Sequence, residues 1–368
     1  MNKIMYLGGF ELPDKNAAAQ RVMSNAKLLR EIGFEVSFWG VTKDTEIIAD
    51  KMHGFESHGI PYPTSIKQWL YYIIFFISKD QISSYKPDYI VLYNFPAIAS
   101  IRILHYCHKN GIKVVHDLTE WEQVDGYSPR DIIKRLDIKI RMHYCMKKMD
   151  GVIAISRYLY NYYKNFTRTI LIPPMVDLND KKWCRNRVLT EANPIRLIYA
   201  GSPGTKEKDR LDRIVNAVAK FPNIVLNIVG INQDQFEKSY GTIDSDVKNI
   251  SFVGRLPHME AIKAVCEADF QMLIRDNTLK NTAGFPTKFV ESISCCTPVI
   301  ATLTSNIGDY LQDGVNGFIV DDNNSIEKVL NKISNMPEKA IIKMKQVCQN
   351  YDKFDYHYYQ EDFLKIFN

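Results

Sequence analysis

Short apolar runs of strand length alternate with longer segments of helical period along almost the whole chain, and that rhythm limits the architecture more than any single residue does. In the first half the runs are KIMYLGG (3–9), FEVSFWG (34–40), YIVLYN (89–94), IKVVHD (112–117), GVIAIS (151–156) and TILIP (169–173). Segments 17–32, 97–110 and 129–148 between them carry apolar residues at helical spacing. The second half repeats the pattern with IRLIYAG (195–201), IVLNIVG (224–230), ISFVGR (250–255), FQMLIR (270–275), PVIAT (298–302) and GFIV (317–320). Strands joined through helices form parallel sheets covered on both faces. A polar stretch rich in Pro and Asn, PPMVDLNDKKWCRNRVLTEANP, has neither period and separates the two series. The expectation is an α/β chain of two Rossmann-like domains facing across a cleft. Residues 1–173 form the first and 174–351 the second, with a terminal helix at 352–368 packing back on the first.

The length agrees, since 368 residues exceed what one hydrophobic core usually serves. A net charge of +5 is mild for such a chain and argues against a nucleic-acid partner. Seven cysteines without a C-x-x-C spacing fit a reducing compartment, so the cytoplasm is expected. The opening MNKIMYLGGFELPDK turns polar too soon for a secretory signal. The longest apolar run, WLYYIIFFI (69–77), is about half of what a spanning helix needs.

Chemistry concentrates in NTAGFPTKFVESISCCTPVI, residues 281–300. It follows a strand end, where open parallel sheets bind ligands. Pro286 suits the first turn of a helix, whose free N–H groups attract an anion, and Lys288 adds a charge. Glu291 lies farther along that helix, and a carboxylate there can accept hydrogen bonds from the vicinal hydroxyls of a ribose. A phosphate beside a diol means a nucleotide. Helix-to-strand packing alone is the competing reading of this segment.

GFPTKFVESISCCTPVIAT followed by DYLQDGVNGFIV resembles the donor-site block of the family 4 glycosyltransferases, retaining enzymes of the two-domain GT-B fold. AGSPGTKEKDRLDRIVNA (200–217) is similar to that family's strand, glycine turn and lysine-bearing helix start, and LGGFELPDKNAAAQRVMSNAKLLREIGFEV to its N-terminal strand, loop and helix. The resemblance implies that Gly8 and Gly9 let the backbone approach the donor. Lys206 or Lys208 would neutralise the diphosphate, Lys208 fitting better. Gly284 with the N–H groups of Thr287 and Lys288 would cradle phosphate, Glu291 would hold the ribose, and Arg255 would border the base. Two positions depart from the family: Ala283 stands where its first glutamate falls, and Pro203 where its phosphate-binding arginine falls. Arg275 and Arg21 are the candidate substitutes for that arginine.

On the acceptor side, VVHDLTEWEQVDGY (114–127) is expected to set a polar cluster just past a strand end. The resemblance implies that His116 contacts the transferred sugar or the reacting oxygens. Asp117 and Glu120 are candidates for base or acceptor contacts, with helix capping the alternative for Asp117. No histidine spacing suggests a metal. The DSD at 244–246 precedes a strand, whereas the metal triplet of the other glycosyltransferase fold follows one, so transfer is expected to need neither metal nor cofactor. Partners expected are a nucleoside diphosphate sugar and a glycan or lipid-linked acceptor. PRDIIKRLDIKIRMHYCMKK (129–148) offers seven basic residues for peripheral contact with an anionic membrane, on the inner face of the cell membrane, with a solvated face as the alternative. SIKQWLYYIIFFISK (65–79) is an aromatic-rich helix that could share that membrane contact, with core packing the preferred reading. A sugar-nucleotide epimerase of the same fold and a non-catalytic transferase-like partner protein are the competing functions.

Overall fold

The computed structural model describes residues 2–11, 17–43, 49–124, 126–185, 194–204, 208–244 and 246–368. They form two compact units, Met1–Val176 together with Asp355–Asn368, and Asp177–Phe354.

The first unit holds β1 (Lys3–Gly8), β2 (Glu35–Thr42), β3 (Ala49–Met52), β4 (Phe55–Pro61), β5 (Tyr89–Tyr93), β6 (Lys113–Leu118), β7 (Gly151–Ala154) and β8 (Thr169–Leu171). Their order in the sheet is β3-β4-β2-β1-β5-β6-β7-β8, all parallel except β3 against β4. Its helices are α1 (Ala17–Glu31), α2 (Ile66–Ile74), α3 (Lys79–Tyr85), α4 (Ala97–Lys109), α5 (Pro129–Ile140) and α6 (Arg157–Tyr163). Ala19, Val22, Met23, Ala26 and Leu29 make a helical stripe on α1, and all are buried. Val22 and Leu28 of that helix share a core with Tyr6, Val91, Val115 and the C-terminal Phe363. Fully burying each side chain of Val or Leu size stabilises by about 1.5–3 kcal/mol.

The second unit repeats the construction with β9 (Ile195–Ala200), β10 (Ile224–Val229), β11 (Ile250–Gly254), β12 (Phe270–Leu273), β13 (Val299–Thr302) and β14 (Gly317–Val320). Their order is β11-β10-β9-β12-β13-β14, all parallel. This is the doubly wound order, with its reversal between β9 and β12. The reversal in the first unit lies between β1 and β5. The second unit's helices are α7 (Leu211–Val218), α8 (Gln233–Tyr240), α9 (His258–Glu267), α10 (Leu279–Ala283), α11 (Thr287–Ser294), α12 (Ile326–Ser334) and α13 (Glu338–Gln349).

Four expectations need correction. The hairpin β3–β4 was not foreseen; its turn is made by His53 and Gly54, both at positive φ (50° and 81°), as a two-residue hairpin requires. The segment 129–148 is not one α-helix, because α5 gives way to a π-helical turn at Arg141–Cys145 and a 3-10 turn at Met146–Lys148. The aromatic stretch 65–79 is core only at Phe76 and Ile77: α2 has no buried residue, and Ile66 is 80% exposed. Finally, β6 extends to Leu118, so His116 and Asp117 lie within the strand rather than past its end.

Candidate active site

In the second unit the strand ends at the β9/β12 reversal converge on Asp209, which is fully buried just ahead of α7. Four groups hold it. Arg275, two residues beyond β12, donates from Nε to Oδ1 at 2.6 Å. Lys288, in the first turn of α11, donates from Nζ to Oδ2 at 2.5 Å. Tyr199 of β9 donates its hydroxyl to Oδ2 at 2.6 Å and accepts from Lys288 Nζ at 2.6 Å. Lys288 Nζ also donates to the Ser202 carbonyl at 3.1 Å, so its three N–H bonds are all directed at protein. The end of β13 completes the frame, where Thr302 Oγ1 bonds both the N–H and the carbonyl of Arg275 at 2.8 Å.

Gly201 is needed in this frame for two reasons. Its φ is +114°, and a Cβ there would stand 2.6 Å from Lys288 Cε. Buried Asn281 of α10 ties the loop down by donating to the carbonyls of Lys208 (3.2 Å) and Asp276 (2.9 Å). Arg210 fixes the other side through Asp212 and Asp276 at 2.8 and 2.7 Å.

Two cations on one carboxylate leave the cluster net positive. Burial pushes the Asp209 carboxyl up, but Lys288 and then Arg275 outweigh it and hold it below the usual range. Burial also lowers the Lys288 ammonium to about 8; Asp209 pulls it up, while Arg275 and Lys208 push it down. Burial, and then Asp209, raise the Tyr199 hydroxyl well above its usual value, so it remains a donor. Arg275 uses only Nε on Asp209, and its Nη groups have no hydrogen bond among the described residues. Beside it α11 starts at Pro286 with no side-chain cap, leaving first-turn N–H groups for a ligand. Thr287, Lys288 and Glu291 make the partly accessible face of α11, while Phe289, Val290, Ser292, Ile293 and Ser294 are buried.

The expected donor residues are thus distributed unevenly. Lys208 and Arg275 lie close enough to Lys288 for their charges to act on it, and Thr287 and Glu291 share the accessible face of α11 with Lys288. The Lys288 ammonium is engaged by Asp209 rather than directed outward, which corrects the expectation of an unshared charge. The Gly284 N–H bonds the Lys280 carbonyl at 3.1 Å and closes α10, so it does not cradle an anion. Arg255 is exposed beyond the edge strand β11, two strands from β9. Lys206 lies outside the described residues, as does Ser245 of the DSD triplet. Ala283 is fully buried at the end of α10.

The first unit has a comparable knot. Asp117 accepts from Arg21 Nε at 2.8 Å, the Tyr6 hydroxyl at 2.6 Å and Asn25 Nδ2 at 3.0 Å, and is fully buried. Arg21 Nη1 reaches the carbonyls of Ile172 and Pro173 at 3.1 Å. Asp117 and Arg21 therefore bind α1 to the sheet, and neither is open to a substrate. His116, on the other face of β6, is also fully buried, and neither ring nitrogen makes a hydrogen bond among the described residues. Burial first and the Arg141 charge second push its pKa down to about 3, the backbone of Asp117 opposing. A ring so enclosed is not presented to a substrate, and the expected cluster of His116, Asp117 and Glu120 on one exposed edge does not form. Glu120 alone is partly accessible, with Asn94 Nδ2 at 3.5 Å and Asn94 in turn bonded by Thr119. Gly8 is explained locally, since a Cβ there would stand 2.2 Å from the Tyr93 carbonyl across β1 and β5. Gly9 is partly accessible and donates to the same carbonyl at 3.3 Å.

Asp209, Tyr199 and Asn281 were missed from the sequence. The only local signal for Asp209 is its place directly after Lys208.

Residues 187–353 match the family model described as Glycosyl transferases group 1, a span that falls within the second unit. No curated protein matches the chain. Among solved structures, sucrose-phosphate synthase from Thermosynechococcus elongatus is similar over 100% of this chain and 98% of its own, with a TM-score of 0.72 and 14% identity. HepE of Anabaena in complex with UDP and glucose is similar over 100% and 99%, with a TM-score of 0.69 and 16% identity. The lipopolysaccharide outer core galactosyltransferase WaaB is similar over 99% of both chains, with a TM-score of 0.63 and 13% identity. The fold is the GT-B fold that these structures share, and within it residues 187–353 of the second unit carry the similarity to the glycosyl transferases group 1 family.

Proposed function

We propose that the chain moves a sugar from a nucleoside diphosphate sugar to a glycan or lipid-linked glycan, with retention at the anomeric carbon, in the assembly of a cell-surface polysaccharide or glycoconjugate. The observation that carries this reading is the net positive cluster at the β9/β12 reversal, with Arg275 and Lys288 on Asp209 and the uncapped start of α11 alongside. Breaking the bond to the anomeric carbon builds an oxocarbenium-like sugar and a charged diphosphate. Preorganised positive charge beside that diphosphate is the strongest lever available.

Arg275, through its Nη groups, and Lys208 neutralise the leaving diphosphate in this reading. The N–H groups of Thr287 and Lys288 hold its oxygens, and Glu291 accepts from the ribose hydroxyls. Lys288 does not carry the phosphate on its ammonium; with Asp209 it fixes the loop and the helix start in register. Retention is assigned to attack on the face the leaving group departs from, the diphosphate helping to take the acceptor's proton. No divalent cation has a part. Glu120 is the acceptor-side carboxylate, and seven cysteines without a C-x-x-C spacing suit a cytoplasmic protein. An epimerase would need an accessible proton-abstracting group, and the enclosure of His116 and Asp117 counts against it. A non-catalytic partner would have no use for the charged cluster.

HepE is seen with UDP and glucose, which makes uridine diphosphate sugars the first donors to try. Thermal shift across UDP-, GDP-, dTDP- and ADP-sugars should raise the melting temperature with at least one donor, and Arg275→Ala should abolish the rise. No stabilisation by any of the four would overturn the donor assignment.

A further inference from the structure

Helix α2 begins with a capping box, Ser65 accepting from the Gln68 N–H while Gln68 accepts from the Ser65 N–H. Its sequence, IKQWLYYII, is apolar nearly all round, and a soluble helix of that kind is normally enclosed by others. Here none of its residues is buried; Leu70 is 54% and Tyr71 52% exposed. Next to it runs α4, held by Arg102, which donates to the Ile74 carbonyl at 3.0 Å and lies over the Phe75 ring at 4.1 Å. Helix α4 also packs on α5, tied to it by the bond from the Ala97 N–H to Asp137 at 2.7 Å. Helix α5 buries only Ile138. Its apolar stripe of Ile132, Ile133, Leu136 and Ile140 is left 39–60% exposed, with Arg130, Lys134, Arg135 and Lys139 exposed beside it.

A surface of this kind has two properties that must be accounted for together. The apolar side chains would cost free energy in water unless something covers them. The charge is one-sided as well: α2, α4 and α5 carry seven lysines and arginines against two aspartates, and both aspartates are already engaged, Asp131 by Ser128 and Asp137 by Ala97. Glu122 offsets Lys134 in part, at 3.5 Å. Aromatic and aliphatic side chains ringed by cations, carried on helices that lie along a surface, are what an anionic bilayer interface takes up. A protein partner would more often meet a face depleted in lysine.

We infer that the α2–α4–α5 face of the first unit docks on an anionic lipid bilayer, with Leu70, Tyr71, Ile133 and Leu136 entering the headgroup region and the basic residues meeting lipid phosphates. This holds whatever reaction the chain performs; taken with the proposed function, it makes a lipid-linked acceptor the natural substrate.

The test uses the full chain without donor or acceptor, so a wrong transferase reading leaves it untouched. Sedimentation with vesicles of phosphatidylcholine alone should show no binding, and vesicles with about 30 mol% phosphatidylglycerol should carry the protein down. Raising salt from low to several hundred millimolar should weaken that binding about tenfold or more. Two variants separate the contributions: Leu70→Gln with Leu136→Gln, and Lys134→Glu with Lys139→Glu. Each should lower partitioning about tenfold while melting like the parent, since all four residues are exposed. Trp69 fluorescence should be quenched by brominated lipid, and the quenching lost in Trp69→Phe. Equal binding to neutral and anionic vesicles, binding to neither, or undiminished binding by the leucine variant would overturn the inference. So would light scattering that shows a dimer without lipid which the leucine variant dissociates, since the face would then belong to a second copy.

Discussion

The two units contain nearly the same buried constellation and put it to different uses. In each, an aspartate accepts from an arginine Nε on Oδ1 and a tyrosine hydroxyl on Oδ2, the tyrosine in both cases at 2.6 Å. In the first unit the third donor is Asn25, a neutral group, and Arg21 spends Nη1 on two backbone carbonyls. Charge is balanced one to one, and the knot ties α1 to the sheet. In the second unit the third donor is Lys288, a second cation, and the Nη groups of Arg275 have no partner among the described residues. Replacing one neutral donor by a charged one turns a closed lock into a site with charge to offer an anion.

The largest effect that could break this comparison is on stability. Asp117→Asn and Asp209→Asn each leave buried cations without their carboxylate and should cost about 3–5 kcal/mol. Only the Asp209 variant should recover on adding a nucleoside diphosphate, because only there can a bound anion stand in for the lost charge. Calorimetric melting with and without UDP checks this, and equal recovery of both variants would remove the distinction. Next in size is catalysis: Lys208→Ala should lower kcat about a hundredfold, the scale for deleting one preorganised charge stabiliser. That loss and the parent activity should both be unchanged by excess EDTA. Activity that EDTA abolishes and Mg²⁺ restores would mean that a metal, and not this cluster, meets the diphosphate.

A smaller effect is expected at the ribose. Glu291→Ala should weaken nucleotide binding by about 1.5–3 kcal/mol, as for a hydrogen bond to a charged group. Unchanged affinity in a cooperatively melting variant would take Glu291 out of the site. The smallest effect is the pH dependence. Lys288 has its folded pKa lowered to about 8, so between that value and its unfolded pKa the folded chain binds fewer protons than the unfolded one. Its neutralisation thus adds stability to the free protein as pH rises through that window. A bound diphosphate favours the charged form, so affinity should fall about tenfold between pH 7 and pH 9, with proton uptake on binding at the higher pH. Titration in buffers of different ionisation enthalpy measures that uptake, and none at pH 9 would separate the charge of Lys288 in this cluster from diphosphate binding.

Much of the fold was legible because parallel strands buried on both faces are near-continuous apolar runs. All twelve expected strands are present, with no end shifted by more than two residues. The hairpin β3–β4 escaped because β4, FESHGIP, next to the edge strand β3, has too few apolar residues to stand out. Helix α2 was read as core because its composition is that of a buried helix, and composition does not say whether neighbours close over it. The donor segment on α11 was legible because its residues are close in sequence, and Thr287, Lys288 and Glu291 fall on one turn-spaced face. Asp209 was not, because its partners lie 10, 66 and 79 positions away and only the sheet order brings them together. His116 and Asp117 misled because a sheet covered on both faces encloses the last residues of a strand, whichever face they are on.

Arg275 is the residue whose Nη groups are proposed to meet the donor diphosphate. Calorimetric titration of UDP, and of GDP if UDP does not bind, should be compared for the parent chain and Arg275→Ala at pH 7. The prediction is a loss of about tenfold or more in affinity, the scale of a charge-assisted hydrogen bond, in a variant whose Asp209 stays paired with Lys288 and whose fold is kept. Nucleotide bound equally well by both proteins, each melting cooperatively, would contradict the assignment of this cluster as the diphosphate site.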